Sequence, residues 1–222
     1  MPLLAASILS ADFANIENAV RLAEEAGADL IHLDIMDGHF VPNLTTGPQL
    51  VASIREKTKL PLDVHLMVEE PAKFIPLFAE AGADWISIHI EASVHLHKDL
   101  HTIKEFQKKA GLVLNPATPI HLMSEIIHEL DYILLMTVNP GWGGQSFIES
   151  CHTKIKNLHH WIKSLKLNTS IEIDGGVKYD NMEKILREGA DILVVGSGIY
   201  NSENPRETVR NIKELLKKFE KR

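Results

Sequence analysis

Short apolar runs rich in Ile, Val and Leu recur along the whole chain, separated by longer stretches with helical spacing. The runs lie at Leu4 to Ile8, Leu30 to Met36, Leu62 to Met67, Trp85 to Ile90, Leu112 to Leu114, Tyr132 to Val138, Ser170 to Asp174 and Ile192 to Gly196. Apolar residues at both parities suit parallel strands, covered by helices on one side and by their own core on the other. The helical stretches carry matching punctuation. Asn15 stands where it can cap a helix with Ile16, Ala19, Val20 and Ala23 on its apolar side, and Gly27 stands where a left-handed terminus belongs. Pro48 and Pro205 suit first-turn positions, with Asn204 as a cap before Pro205. Pro76 interrupts the Phe74, Ile75, Phe78 pattern and predicts a delayed or kinked helix.

A weak internal repeat supports the alternation. Ala26-Gly27-Ala28-Asp29, Ala81-Gly82-Ala83-Asp84 and Glu188-Gly189-Ala190-Asp191 each end a helix and open a strand, with Gly permitting the tight turn. Eight βα units in 222 residues predict a single (β/α)8 TIM barrel over residues 1–222, near the lower size limit of that fold. An open doubly wound sheet is the competing architecture, but no Gly-x-Gly-x-x-Gly follows the first run.

In such a barrel chemistry belongs at the carboxy-terminal ends of the strands. The second run ends His32-Leu33-Asp34-Ile35-Met36-Asp37-Gly38, the third Asp63-Val64-His65-Leu66-Met67, and the seventh Glu172-Ile173-Asp174-Gly175-Gly176. Strand alternation puts His32 with Asp34 and Met36, and Asp63 with His65 and Met67. The same inward parity aims His32, Asp34, His65 and Asp174 at one mouth. A strand histidine alone is more often a hydrogen-bonded core residue, but four ionisable groups at matching strand ends form a divalent-metal shell. Its N2O2 donors favour Zn2+, with Fe2+, Mn2+ or Co2+ as alternatives. Met36, Met67 and Met136 each end a strand, as core filler or as an apolar cover. His95, His97, His101 and His159-His160 read as solvated surface. His89 and Glu91 sit at the correct rim and read as support for the ligands.

Glycine-rich segments follow the last three runs: Gly141-Trp142-Gly143-Gly144-Gln145, Gly175-Gly176 and Gly196-Ser197-Gly198. Glycine lets backbone N–H groups approach an oxyanion, so three such loops on one rim predict a phosphate cradle. Composition narrows the partners. At 45% hydrophobic and 24% charged, the chain is neither disordered nor fibrous, and its net charge of -7 with no basic stripe excludes a nucleic-acid partner. The single Cys151 predicts a reducing compartment. An amino-terminal stretch with no basic leader predicts a cytoplasmic protein without a membrane partner. A homo-oligomer is expected.

At these residues the sequence resembles the ribulose-phosphate 3-epimerase family nearly end to end. The resemblance is carried by Ala6-Ser7-Ile8-Leu9-Ser10-Ala11-Asp12-Phe13, by His32-x-Asp34 through Asn43, by Asp63-Val64-His65-Leu66-Met67-Val68, and by Leu114-Asn115-Pro116-Ala117-Thr118-Pro119. Val138-Asn139-Pro140-Gly141-Trp142-Gly143-Gly144-Gln145 and Asp174-Gly175-Gly176 complete it. It implies one divalent metal held by His32, Asp34, His65 and Asp174, with Asp34 and Asp174 as the acid/base pair. It further implies Ser7 and His65 as contacts to a sugar phosphate, with Gly141, Trp142, Gly143, Gly144, Asp174, Gly175, Gly176, Gly196 and Ser197 around the substrate. The implied reaction is epimerisation at C3 between D-ribulose 5-phosphate and D-xylulose 5-phosphate, a step of the pentose phosphate pathway.

Two departures concern loop packing: Trp142 stands where the family usually has phenylalanine, and Gly198 where alanine is common. Related decarboxylases carry Asp-x-Lys-x-x-Asp on the second strand. Here His32-x-Asp34-x-x-Asp37 puts a carboxylate in place of the lysine. D-allulose-6-phosphate 3-epimerase and a non-catalytic sugar-phosphate-binding barrel are the alternatives. Asp174-Gly175-Gly176-Val177 favours the pentose enzyme over the former, and the intact aspartate pair argues against the latter. The Pro42-Asn43 segment is the expected mobile part.

Overall fold

In the computed structural model, which describes residues 1–220, the apolar runs become eight parallel strands. They are β1 (Leu3–Ser7), β2 (Leu30–Met36), β3 (Leu62–Met67), β4 (Trp85–His89), β5 (Lys109–Leu114), β6 (Tyr132–Met136), β7 (Ser170–Asp174) and β8 (Ile192–Val195). They pair in sequence order and close as β8 meets β1, so the predicted (β/α)8 barrel is the observed one. The helices are α1 (Ile16–Ala26), α2 (Pro48–Arg55), α3 (Ile75–Glu80), α4 (Leu96–Glu105), α5 (Cys151–Ser164), α6 (Tyr179–Arg187), α7 (Ser197–Tyr200) and α8 (Pro205–Lys217). Of the range 1–222 expected for one domain, the last two residues lie outside the described residues.

Alternation sorts the two faces of the barrel. Outward residues such as Leu4, Ile31, Leu33, Val64, Ile86 and Ile133 join the main core against the helices. Inward residues split by height. At the floor Ala5, Leu30, Trp85, Tyr132, Ile192 and Val194 form a separate apolar plug, and Lys109 lies over the Trp85 ring at 4.0 Å. Gly111 is required there, since a Cβ on it would sit 2.3 Å from Cζ of Tyr132. Above the plug the inward positions of β2, β3, β4 and β7 turn polar, with His32, Asp63, His65, Ser87, His89 and Glu172 all fully buried, while Val113 and Leu134 keep β5 and β6 apolar.

The repeated Asp at the strand entrances has a structural purpose. Each carboxylate accepts an N–H from the neighbouring odd-numbered strand: Asp29 from Leu4 at 2.7 Å, Asp84 from Leu62 at 2.8 Å and Asp191 from Ile171 at 2.9 Å. A fourth, Asp131, does the same for Ala110 at 2.8 Å, completing one bond for every second strand. Gly27, Gly82 and Gly189 turn the chain ahead of three of them with φ of 102°, 104° and 112°.

Local expectations are partly corrected. Asn15 occupies the cap of α1 but makes no capping bond; its side-chain amide donates to Asp12 at 2.7 Å. Pro48, Pro205 and the Asn204 cap stand as expected. Pro76 falls in the first turn of α3, whose start is delayed by a 3-10 turn over Pro71–Lys73. Between β5 and β6 the crossover is two 3-10 turns, Ile120–Met123 and Ile127–Glu129, rather than an α-helix. No helix of the described residues is long and apolar enough to cross a membrane.

Candidate active site

The β2–β3 register sets Asp34 beside His65 and His32 beside Asp63. With Asp174 from the end of β7, His32, Asp34 and His65 offer ligand atoms that all lie within 4.8 Å of one another. The closest approaches are His65 Nδ1 to Asp34 Oδ1 at 3.2 Å and His32 Nε2 to Asp34 Oδ1 at 3.4 Å, spacings suited to neighbouring ligands of a small divalent ion. The decisive atom is His32 Nε2. It is buried with no hydrogen-bond partner, while Nδ1 of the same ring lies 2.6 Å from Asp63 Oδ2. A buried nitrogen left unsatisfied is unfavourable, and a cation among these donors would satisfy it, so the residues present fit a divalent metal.

The electrostatics separate the two aspartates. Burial opposes charge on Asp34, yet the His32 and His65 imidazoles beside it hold its carboxyl well below the usual range. Burial, together with the Asp34 carboxylate, pushes Asp174 up to about 6. Burial also disfavours a charged His32, but Asp34 and Asp63 outweigh it and raise its pKa well above the ordinary value. Beneath the site, Asp63 accepts from the Tyr132 hydroxyl at 3.0 Å. Burial and the neighbouring Asp63 raise the Glu172 carboxyl well above its ordinary value.

A cleft lined by Asp34 and Asp174 opens at this mouth. Met36, Met67 and Met136 line it, as the apolar-cover reading expects. Ser7 lines it too and donates to Asp34 Oδ2 at 2.8 Å. Gly141, Trp142, Gly143, Gly144, Gly175, Gly176, Gly196 and Ser197 also line it, and among the described residues lining it none is Lys or Arg. Side chains at Gly175 and Gly176 would collide with Val138 at 2.5 Å and with the Phe147 backbone nitrogen at 2.3 Å, and both have positive φ. That rim therefore presents backbone.

His32 and His65 lie behind the cleft, fully buried. Both nitrogens of His65 are engaged, Nδ1 toward Asp34 and Nε2 toward His89 at 2.8 Å. His89 in turn reaches Glu91 at 3.1 Å. The Pro42-Asn43 segment is tied to the loop after β6, with Asn43 Nδ2 donating to the Gly141 carbonyl at 2.8 Å. His95, His97, His101 and His160 are exposed as expected, but His159 is half-buried against Gly189, whose Cβ would meet its ring at 2.3 Å.

Sequence reasoning assigned no role to Ser10, whose hydroxyl lies near Gly143 and Gly196 in the cleft wall, nor to Gln145, which donates to the Asn139 carbonyl at 2.7 Å and the Trp142 carbonyl at 3.0 Å. Ser10 was within reach as a polar residue in the loop after β1. Gln145 shapes the loop from outside any strand register.

Comparison with known proteins meets this geometry. Residues 3–200 match the model of the ribulose-phosphate 3 epimerase family. The chain belongs to that family. It is 49% identical to the ribulose-phosphate 3-epimerase of Bacillus subtilis (strain 168) over 95% of this chain and 97% of that one. It is 45% identical to the ribulose-phosphate 3-epimerase of Aquifex aeolicus (strain VF5), over 97% of each. The solved 3-hexulose-6-phosphate synthase from Salmonella typhimurium superposes with a TM-score of 0.75 over 98% of this chain and 99% of that one; at 16% identity it speaks for the fold alone.

Proposed function

We propose that this family member interconverts D-ribulose 5-phosphate and D-xylulose 5-phosphate by moving the proton on C3. The observation that carries this reading is the pair Asp34 and Asp174. They come from non-adjacent strands, share one cleft, and have their proton affinities driven in opposite directions. Inversion next to a ketone needs one group to take a proton from one face and another to return one to the opposite face. Carboxylates from different strands meet that requirement, whereas two on one strand do not. In one direction Asp34 takes the proton and Asp174 supplies one; in the other the roles exchange.

His32, Asp34, His65 and Asp174 would hold one divalent cation, with Zn2+ favoured by two imidazoles and two carboxylates. When bound, it supplies Lewis-acid stabilisation of the negative charge that develops as the proton leaves C3. Ser7 orients Asp34 through its hydroxyl. The three methionines exclude water from the reacting carbons, which strengthens the electrostatic contacts inside. The glycine rim and Ser197 receive the phosphate on neutral backbone amides, which is how an acidic chain accommodates an anion. Residues 1–222 act as one catalytic domain, and the lone cysteine supports a cytoplasmic setting.

The test is proton NMR of D-ribulose 5-phosphate in D2O. Wild type exchanges the C3 proton and forms D-xylulose 5-phosphate. Asp34→Asn and Asp174→Asn each lower exchange by about 10³-fold or more with the unfolding midpoint retained. Near-normal exchange in either variant overturns the pairing. Faster turnover of D-allulose 6-phosphate in a parallel sample moves the substrate to the hexose phosphate.

A further inference from the structure

Behind the cleft runs a chain of polar contacts that no step above uses. His65 Nε2 faces His89 Nε2 at 2.8 Å, His89 Nδ1 faces Glu91 Oε2 at 3.1 Å, and Glu91 Oε1 accepts the Asn115 N–H at 2.9 Å and the Thr118 hydroxyl. His65 and His89 are fully buried. The chain begins on β3, passes through the end of β4 and finishes in the loop after β5.

We infer that His89 and Glu91 are positioning residues that hold a proton on Nε2 of His65, and so reserve its Nδ1 for the metal cluster. Two ring nitrogens at hydrogen-bond distance hold one proton between them: one donates and the other accepts. A carboxylate only accepts, so Glu91 requires the His89 proton on Nδ1. That leaves the His89 Nε2 lone pair toward His65, which must then donate from its own Nε2. The direction is fixed end to end, and Nδ1 is the His65 nitrogen left on the side of Asp34. His32 is oriented with the opposite nitrogens, its Nδ1 held toward Asp63 and its Nε2 turned to the cluster.

Without Glu91 the chain can reverse. His89 would carry its proton on Nε2 and donate to His65. The His65 proton would move to Nδ1, where Asp34 Oδ1 at 3.2 Å accepts it. The reversed state is well hydrogen-bonded and cannot bind a cation through that nitrogen, so the metal would have to displace the proton first. Glu91 is itself held by the Asn115 and Thr118 contacts, and Lys154 of α5 grips the same loop by donating to the Asn115 carbonyl at 2.7 Å.

This inference rests on the four-residue cluster being the metal site, and two readouts separate them. The first is the ring-nitrogen tautomer of His65 by 15N NMR of the metal-free protein. The second is Zn2+ affinity by competition with a chromogenic chelator. In wild type His65 carries its proton on Nε2. In Glu91→Gln and His89→Leu the Nδ1-protonated form grows, and Zn2+ binds about 10–100-fold more weakly. His89→Gln, whose amide oxygen accepts from His65 Nε2, recovers most of the affinity. Unfolding midpoints measured alongside show which variants are folded. Equal Zn2+ affinity in wild type, Glu91→Gln and His89→Leu, with an unchanged tautomer, overturns the relay. If wild type binds no Zn2+, the metal site fails, and the metal-free ring decides alone: a proton on Nε2 supports the relay and a bare Nε2 overturns it.

Discussion

At the floor of the barrel Asp29, Asp84, Asp131 and Asp191 each accept one strand N–H, while at the mouth Asp34 and Asp174 face two imidazoles and each other. The side chain is the same and the strands are largely the same. The difference lies in what surrounds the carboxylate. A floor aspartate completes a ladder near the water boundary, and beside Asp29 and Asp84 a single cation, Lys213 or Arg55, pairs with the carboxylate. A mouth aspartate is enclosed among charged neighbours, so each proton changes the energy of the whole cluster.

Substitution at the two ends breaks the comparison most sharply. Asp174→Asn is expected to lower kcat by about 10³-fold or more with little change in Tm, whereas Asp131→Asn leaves kcat nearly unchanged. Steady-state kinetics and thermal unfolding on both proteins check this. Treatment with a chelator comes next: it lowers kcat by about 10²-fold or more, restored by Zn2+, Mn2+, Fe2+ or Co2+, equally in wild type and Asp131→Asn. Activity that survives complete metal removal would contradict the cluster. At the floor, Asp84→Ala removes the acceptor for Leu62 N–H and the partner of Arg55 Nη1 at 2.7 Å. The exposed ion pair adds little, so the expected loss is about 1–2 kcal/mol, or roughly 2–8 °C in Tm, with kcat per folded molecule retained.

The smallest effect concerns pH. Burial raises the Glu91 carboxyl, but hydrogen bonds from His89, Thr118 and Asn115 prevail and bring it down to about 2. A carboxyl depressed on folding contributes stability at neutral pH that is lost as pH falls from its ordinary value of 4.5 toward 2. Unfolding of wild type should therefore steepen over that interval, and Glu91→Gln should flatten part of the slope.

Strand parity made both the barrel and the candidate metal cluster legible: β2 and β3 run as the apolar pattern indicated, and the inward position of His32 predicts those of Asp34 and His65. Parity failed where an inward residue was chosen for a neighbour's shape. Lys109 and Gly111 interrupt the apolar run of β5, so it reads as starting at Leu112. One stacks over Trp85, and the other makes room for Tyr132. The Gly-Ala-Asp repeat exposed three floor aspartates and missed Asp131, because 3-10 turns there remove the need for the glycine. The His65–His89–Glu91 chain was visible only as residues on the correct rim. Its direction depends on which atoms face each other, and spacing along a chain carries no such information.

The floor plug also has a meaning for inherited variation. Gly111 touches neither the cleft nor a ligand, and glycine to alanine is among the mildest changes a codon can make. Yet one added methyl would displace the Tyr132 ring, whose hydroxyl holds Asp63, which in turn holds His32. A screen that ranked variants by distance from the mouth would score such an allele as silent, while the fold passes its effect up the middle of the barrel.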